Sequence, residues 1–545
     1  MNNKTFQTST YYTAVVLVVA AFYSLAWPFL LKAWNSASDE GAFLLLGLDI
    51  QAGVRMTDGM RHMLLPLTLS TFASTDWVYF STAKIMNMGF ATVVLLLILF
   101  LTRRSFNPTV ALMVMTLVAF NRGYWKTMTR VISEPLLLIF IVLAYYFWYT
   151  GARKDSTRHF WLMGAMIGLA YLTKGTAQLL LICFLGWVVL TGYWRRWRML
   201  VGVLAAYLLA ASPLLIYNTI TWGTPFYNYN SSHAFWYDDW NDSYIAPDKN
   251  LSTFLATHTI GDIVNRFISG MTYLFNSQGE VISPAIVLLL LVAAGALYLF
   301  TWIKSPDRAP LAVFKTMDAR LRNNLLIPVV VIPIWLIFFA WFAPVSNFPR
   351  HVIPVVPLIS VVVSLIFYRA IMNLPLKPIQ TYFPSIVNVT IITVSMIGII
   401  VGYRTLAAEF PVWNVYEVDQ IENQSLDELL HGLEGLKPGV VTVVSGPSHT
   451  IPAWRARSTS LIVKEIPITC KSIDCLSDFL HENQADYLVI DAQMVQHLPF
   501  LTDYFQVTRQ EDFEMIQEFP LMTLMANYKL DHGRRILIFE STPNP

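Results

Sequence analysis

Two adjacent carboxylates, Asp39 and Glu40, follow directly after a long apolar run and precede a second polar patch holding Arg61 and His62. An acid at the edge of lipid loses hydration, and its charge is costly there unless it is paired or lines a wet cavity. The same pair would also suit the start of a short interfacial helix, whose N-terminus favours carboxylates. Further charges occur where other apolar runs begin or end: Arg130 and Glu134, Lys174, and Arg350. Cations gathered at one membrane depth can hold a phosphate. A carboxylate beside them can take a proton from an attacking hydroxyl.

The elements that must position these groups are membrane spans. The chain has 545 residues, 55% of them hydrophobic and 14% aromatic, with 13% charged. Its mean hydropathy is +0.51. Soluble proteins are about 25% charged, so a polytopic α-helical membrane protein is expected. Apolar windows occur at 12–31, 80–101, 109–120, 134–149, 161–172, 176–193, 199–220, 281–302, 325–342, 351–368 and 384–403. That makes about eleven transmembrane helices, several of them short for the roughly 20 residues a span requires. The first window is too long for a signal peptide and lacks a following small-residue cleavage site, so it is expected to stay as an anchor. A net charge of +2, with no basic block apart from the span flanks, gives no reason to expect a nucleic-acid partner.

With the N-terminus in the cytoplasm, basic clusters at 103–104, 153–158, 195–198, 304–322 and 369–377 all fall inside, as the positive-inside rule requires. Arg122, Lys126 and Arg130 fall outside against that rule. The charged span ends then share the outer face with two long loops, 34–79 and 221–280. The second loop is aromatic and polar, which suits either an ordered cover over a site or an interfacial aromatic belt.

Past residue 403 the pattern changes. Segments 440–445, 460–466, 487–491 and 535–539 read as strands, and 425–436 and 472–482 as helices. The expected organisation is a membrane domain over 1–403 and a soluble extracytoplasmic α/β domain over 404–545. Gly446-Pro447 ends a strand without forming a glycine-rich phosphate loop. Cys470 and Cys475 bracket four residues and are compatible with a disulfide in an oxidising compartment or with two separate thiols. Cys183, within an apolar run, reads as packing.

Nucleotide-binding and zinc-protease signatures are missing, and the ten histidines are scattered. Neither a cofactor nor a metal is implied. Ion-coupled transporters place ionisable groups near the bilayer midplane, whereas these charges collect at the outer ends. Since nucleotide sugars and ATP are cytoplasmic, chemistry on the outer face calls for an activated group carried on lipid, such as a polyprenyl phosphate.

Asp39-Glu40-Gly41 through Gly53, with His62-Met63-Leu64-Leu65-Pro66-Leu67, resembles the first outer loop of GT-C glycosyltransferases. Within that superfamily the pattern is similar to protein O-mannosyltransferases and lipid A aminoarabinose transferases. Thr129-Arg130-Val131-Ile132-Ser133-Glu134-Pro135-Leu136 resembles their Arg, acid, Pro-Leu motif at a span start. Leu172-Thr173-Lys174-Gly175 matches their Leu-Thr-Lys-Gly, and Pro349-Arg350-His351-Val352-Ile353-Pro354 resembles their Arg-Tyr before a Pro-rich span.

The resemblance implies a GT-C fold and transfer of a sugar from a polyprenyl-phosphate donor to a hydroxyl of a lipid, protein or cell-wall glycan. It makes Asp39 the general base, Glu40 its orienting neighbour and Glu134 a second acid. Arg130, Lys174 and Arg350 would contact the donor phosphate, with Arg61 and His62 beside them. The expected location is the cytoplasmic membrane, with site and C-terminal domain facing the periplasm or cell exterior. The alternative is a transporter or flippase of a lipid-linked sugar.

Overall fold

A computed structural model describes residues 3–31, 39–239, 249–276, 319–345, 349–374, 377–409, 432–433, 439–445, 461–466, 470–509, 512–529 and 535–541, with the single positions 242, 295, 436 and 454. The helices are α1 (Asn3–Leu31), α2 (Asp39–Gln51), α3 (Leu64–Leu69), α4 (Trp77–Ser105), α5 (Pro108–Ala119), α6 (Arg122–Met128) and α7 (Glu134–Lys154). They continue as α8 (Thr157–Thr173), α9 (Leu179–Thr191), α10 (Trp197–Trp222), α11 (Ile260–Asn276), α12 (Ala319–Phe342), α13 (Val356–Met372) and α14 (Lys377–Glu409).

Local chemistry sets their ends. Asn107 and Asn121 cap α5 and α6, each side chain accepting from a backbone N–H in the first turn at 2.9 Å. Gly192 and Gly223, both at φ 76°, stop α9 and α10 in the left-handed region where a side chain is disfavoured. Among the described residues, seven helices are long and apolar enough to cross a membrane: α1, α4, α7, α10, α12, α13 with its preceding turn, and α14. Shorter apolar helices over Pro108–Ala119 and Gly175–Thr191 pack among them, as does α8. The chain is a multi-pass membrane protein. The span expected at 281–302 and the basic cluster at 304–318 lie outside the described residues.

Close backbone approach holds the bundle together. A Cβ at Gly164 would stand 2.4 Å from the Val203 carbonyl oxygen, and one at Gly168 would stand 2.6 Å from that of Tyr207. These glycines therefore let α8 lie directly against α10, the small-residue packing membrane helices use when no hydrophobic drive separates them from lipid. Gly402 does the same for α14 on Ser24 of α1.

Several helices interrupt what reads as loop in the sequence, among them α2, α3, α6 and α11. The pair Asp39–Glu40 does begin a helix, α2, with both acids in its first turn. Helix α11 lies within the expected 221–280 loop and rests on α12, with Gly270 against the Ala340 carbonyl.

The C-terminal unit is built from β1 (Val441–Ser445), β2 (Leu461–Glu465), α15 (Ile473–Glu482), β3 (Tyr487–Asp491), β4 (Phe505–Arg509), β5 (Asp512–Met515), β6 (Thr523–Lys529) and β7 (Arg535–Glu540). Five strands form one sheet in the order β2-β1-β3-β7-β6, and β4 and β5 pair separately. β1 runs parallel to β2 and β3, while β7 is antiparallel to β3 and β6. The four strands and the second helix expected from the sequence are present within a residue or so. Most of the helix expected at 425–436 and the Gly446-Pro447 turn lie outside the described residues. Cys470 and Cys475 are paired.

Trp454 of this unit is fully buried in a cluster with Phe43, Leu44 and Leu48 of α2, and its ring meets Tyr79 edge-on at 6.0 Å. Helix α2 is thereby fixed between the bundle and the C-terminal unit.

Candidate active site

Five separated segments deliver ionised side chains to one end of the bundle. Asp39 opens α2, Arg61 sits in the loop before α3, and Glu134 opens α7. Lys174 ends α8, and Arg350 lies in the 3-10 turn Pro349–Val355 ahead of α13. Each lies at a helix end because the span interiors offer no water to solvate a charge.

Asp39 bridges two guanidinium groups. Its Oδ1 accepts from Arg61 Nη2 at 2.6 Å and its Oδ2 from Arg350 Nη2 at 2.7 Å. Burial alone would raise the Asp39 pKa, but Arg350 and Arg61 outweigh it and hold the carboxyl well below the usual range. Arg61 also donates Nη1 to Asp58 Oδ2 at 2.7 Å. Asp58 Oδ1 in turn accepts the Met60 and Arg61 amides at 2.9 and 2.7 Å, a turn that fixes the arginine stem. Glu134 accepts from Lys174 Nζ at 2.6 Å and lies 3.5 Å from Arg350 Nε. Burial draws the Lys174 pKa down, and Glu134 counters it.

Glu40 points elsewhere. Fully buried, it accepts from Arg130 Nε and from the Val131 amide, both at 2.9 Å. Burial raises its pKa, opposed by Arg130 and Lys84. This pair pins the start of α2 to the α6–α7 connection. Asn87 of α4 adds to that connection, donating to the Arg130 and Ile132 carbonyls at 2.6 and 3.1 Å.

His62 is buried, and that burial lowers its pKa to about 4. The imidazole is therefore neutral near pH 7. Its Nδ1 faces the Tyr171 carbonyl, which makes Nδ1–H the donor and leaves Nε2 to accept from Asn228 Nδ2 at 3.0 Å. Asn228 also donates to the Met60 carbonyl at 3.2 Å, and the Tyr229 amide donates to that of Gly59 at 2.9 Å. The aromatic loop after α10 is thus stitched to the Arg61 loop. Gly175 lies close beside this contact, where a Cβ would sit 3.2 Å from His62 Nε2.

The structure therefore brings Asp39, Arg61, Glu134, Lys174 and Arg350 into one connected ionic cluster. Glu40 with Arg130 forms a neighbouring pair, and His62 joins as an uncharged link. Among the described residues, no group of three or more His, Cys, Asp or Glu side chains is placed to hold a metal ion.

A family model described as dolichyl-phosphate-mannose-protein mannosyltransferase matches residues 64–217, the stretch that contains Arg130, Glu134 and Lys174. Among solved structures, ArnT from Cupriavidus metallidurans bound to undecaprenyl phosphate is 12% identical, with a TM-score of 0.51 over 98% of each chain. The apo oligosaccharyltransferase of Archaeoglobus fulgidus is 13% identical, with a TM-score of 0.50 over 92% of this chain and 73% of that one. No curated protein matches the sequence.

This chain has the GT-C fold. Three residues of the site were given no role by the sequence: Asp58, which anchors Arg61, Asn228, which fixes His62, and Asn87, which holds the Arg130 connection. Asp58 reads as an ordinary turn residue and Asn228 as one polar position among many. Only their hydrogen bonds distinguish them.

Proposed function

We propose that this chain is a membrane glycosyltransferase that moves a sugar from a polyprenyl-phosphate donor to an acceptor hydroxyl on the outer face of the cytoplasmic membrane. The observation that carries the reading is the ionic cluster itself: three cations and a solvent-reachable carboxylate drawn from separate segments to one end of the bundle. Charged groups at such a place pair with one another or line a substrate cavity, and a polar cluster this size at one end of an apolar bundle supports the second use as well as the first. The likeness to an ArnT bound to undecaprenyl phosphate supports the donor class.

In this reading Asp39 takes the proton of the acceptor hydroxyl as that oxygen attacks the anomeric carbon. The bond from that carbon to the phosphate oxygen breaks, with inversion. Charge developing on the departing phosphate is met by Arg61, Lys174 and Arg350, donors held in place by their carboxylate partners. Glu134 keeps Lys174 and Arg350 aimed. Arg130, engaged with Glu40, and His62, neutral, are assigned to holding the frame rather than to touching phosphate.

The test compares glycolipids and glycoproteins by mass spectrometry in cells with the gene, without it, and with Asp39→Asn. The expected result is a glycosylated product present only with the unaltered gene. Full product from Asp39→Asn would remove the base. A product-neutral deletion that traps a lipid-linked sugar on the cytoplasmic face would instead make the chain a transporter.

A further inference from the structure

Asp39 is asked to accept a proton, yet both its oxygens are already committed to guanidinium groups. A carboxylate so held is a poor base, because its negative charge is stabilised where it is. Something must take the arginines away before it can act.

The three carboxylates of the cluster differ in how they are held. Asp58 is fixed by two backbone amides besides Arg61. Glu134 is buried and grips Lys174. The Asp39 side chain, among the described residues, has hydrogen-bond partners in Arg61 and Arg350 alone. It is also the most open of the three, with 34% of its side chain exposed against 16% for Asp58 and 2% for Glu134. If Asp39 swings out, Arg61 keeps Asp58 and Arg350 keeps Glu134, so both guanidinium groups stay in place, each having given up its contact with Asp39.

Charge points the same way. Arg61, Lys174 and Arg350 balance Asp39, Asp58 and Glu134, three against three. Taking Asp39 out of the set leaves one positive charge, the complement of a phosphodiester, and the two freed donors suit two oxygens of one phosphate.

We propose that in the resting protein the Asp39 carboxylate occupies the place of the donor phosphate on Arg61 and Arg350, so that arrival of the phosphate is what releases the base. The inference rests on the glycosyltransferase reading and adds an order to it. The donor binds first, and its phosphate displaces Asp39 toward the acceptor. After transfer Asp39 carries the acceptor's proton and cannot compete for the arginines. Once it gives that proton to water it returns to them and expels the polyprenyl phosphate.

The experiment measures binding of undecaprenyl phosphate to the full-length protein in detergent, for wild type and for Asp39→Asn. Removing a competing carboxylate is expected to tighten binding by about tenfold or more. Equal or weaker binding by Asp39→Asn overturns the exchange. Should that variant fail to fold, carbodiimide labelling of wild-type carboxyl groups, read by mass spectrometry, decides the matter. Labelling of Asp39 is expected to rise on adding undecaprenyl phosphate while that of Glu134 stays unchanged, and an unchanged Asp39 overturns the proposal. Wild-type protein that binds no undecaprenyl phosphate at all would overturn the donor reading itself. Tight wild-type binding with no tightening in Asp39→Asn would remove the exchange alone.

Discussion

Two ionic clusters in this molecule have similar ingredients and opposite designs. The first joins Asp39, Asp58, Arg61, Glu134, Lys174 and Arg350, with Asp39 and Arg350 311 positions apart. The second lies within 238–266. There Lys249 Nζ sits between Asp238 at 2.5 Å and Asp242 at 2.9 Å, His258 Nε2 lies 3.0 Å from Asp238, and Arg266 Nη1 lies 3.3 Å from it. In the second cluster the arginine spends its donors on backbone: Nη2 on the Tyr237 carbonyl at 2.6 Å and Nε on that of Trp341 at 3.1 Å. Its guanidinium also lies over the Trp341 ring at 4.5 Å. Those partners are part of the chain's own framework and cannot step aside. In the first cluster the donors go to carboxylates, one of which can leave. Exchangeable partners make a site, and fixed ones make a brace.

The largest expected effect breaks the first cluster. Lys174→Ala removes a cation that the proposed mechanism sets against the departing phosphate, while Glu134 keeps Arg350 as a partner, so the fold should persist. Loss of one such fixed donor costs about 10²–10³ in turnover. Transfer rates at saturating donor, alongside thermal stability in detergent, are the measurement. A variant that melts far earlier but turns over normally when folded would make Lys174 a brace as well.

Arg266→Ala should reverse that pattern. It leaves Asp238 with Lys249 but strips the Tyr237 and Trp341 carbonyls of a buried partner, which costs on the order of 3 kcal/mol of stability. Its effect on turnover should be smaller than that of Lys174→Ala by at least tenfold, or about 1.4 kcal/mol. Comparable rate losses in the two variants would erase the distinction between site and brace.

His62 joins the Arg61 loop to the loop after α10 through Asn228, and it sets a pH limit. Its pKa is about 4 in the folded chain against an ordinary 6.5, so the unfolded chain binds the additional proton between those values. Stability is therefore unaffected above pH 6.5 and declines as pH falls toward 4, by roughly 3 kcal/mol at the bottom of that range. His62→Gln keeps a polar side chain at this position but cannot titrate. Its melting temperature should fall less than that of wild type between pH 7 and 5, and parallel curves would show that the imidazole carries no such charge penalty.

Much of the fold was legible because lipid is an unforgiving solvent. Apolar runs had to be helices, and any charge between them had to be explained, which is why Asp39, Glu134, Lys174 and Arg350 stood out. Arg130 stood out against the expected orientation, and the structure pairs it with the buried Glu40. What the residue order did not reveal was pairing. Nothing in the string says that Arg61 and Arg350, 289 positions apart by subtraction of their numbers, would grip one carboxylate. Helix α2 was announced only by the acids at its start, and α6 was hidden because 7 residues give too little period to detect. Strand β6 was hidden because most of its side chains are exposed, so no alternation marks it.

The smallest effect sharpens the comparison within the brace itself. Lys249 makes two short ion pairs, but Asp238 on one side is 46% exposed, so water competes for both charges. Exposed pairs of this kind contribute up to about 1 kcal/mol. Lys249→Met keeps most of the aliphatic stem while removing the charge, and it should lower stability by no more than that and leave transfer unchanged. Arg266, with its donors on buried carbonyls, should cost about three times as much. If the two substitutions proved equally damaging, the cluster would be held by its summed charge, and the attachment of Arg266 to the backbone would lose its special part in holding the loop.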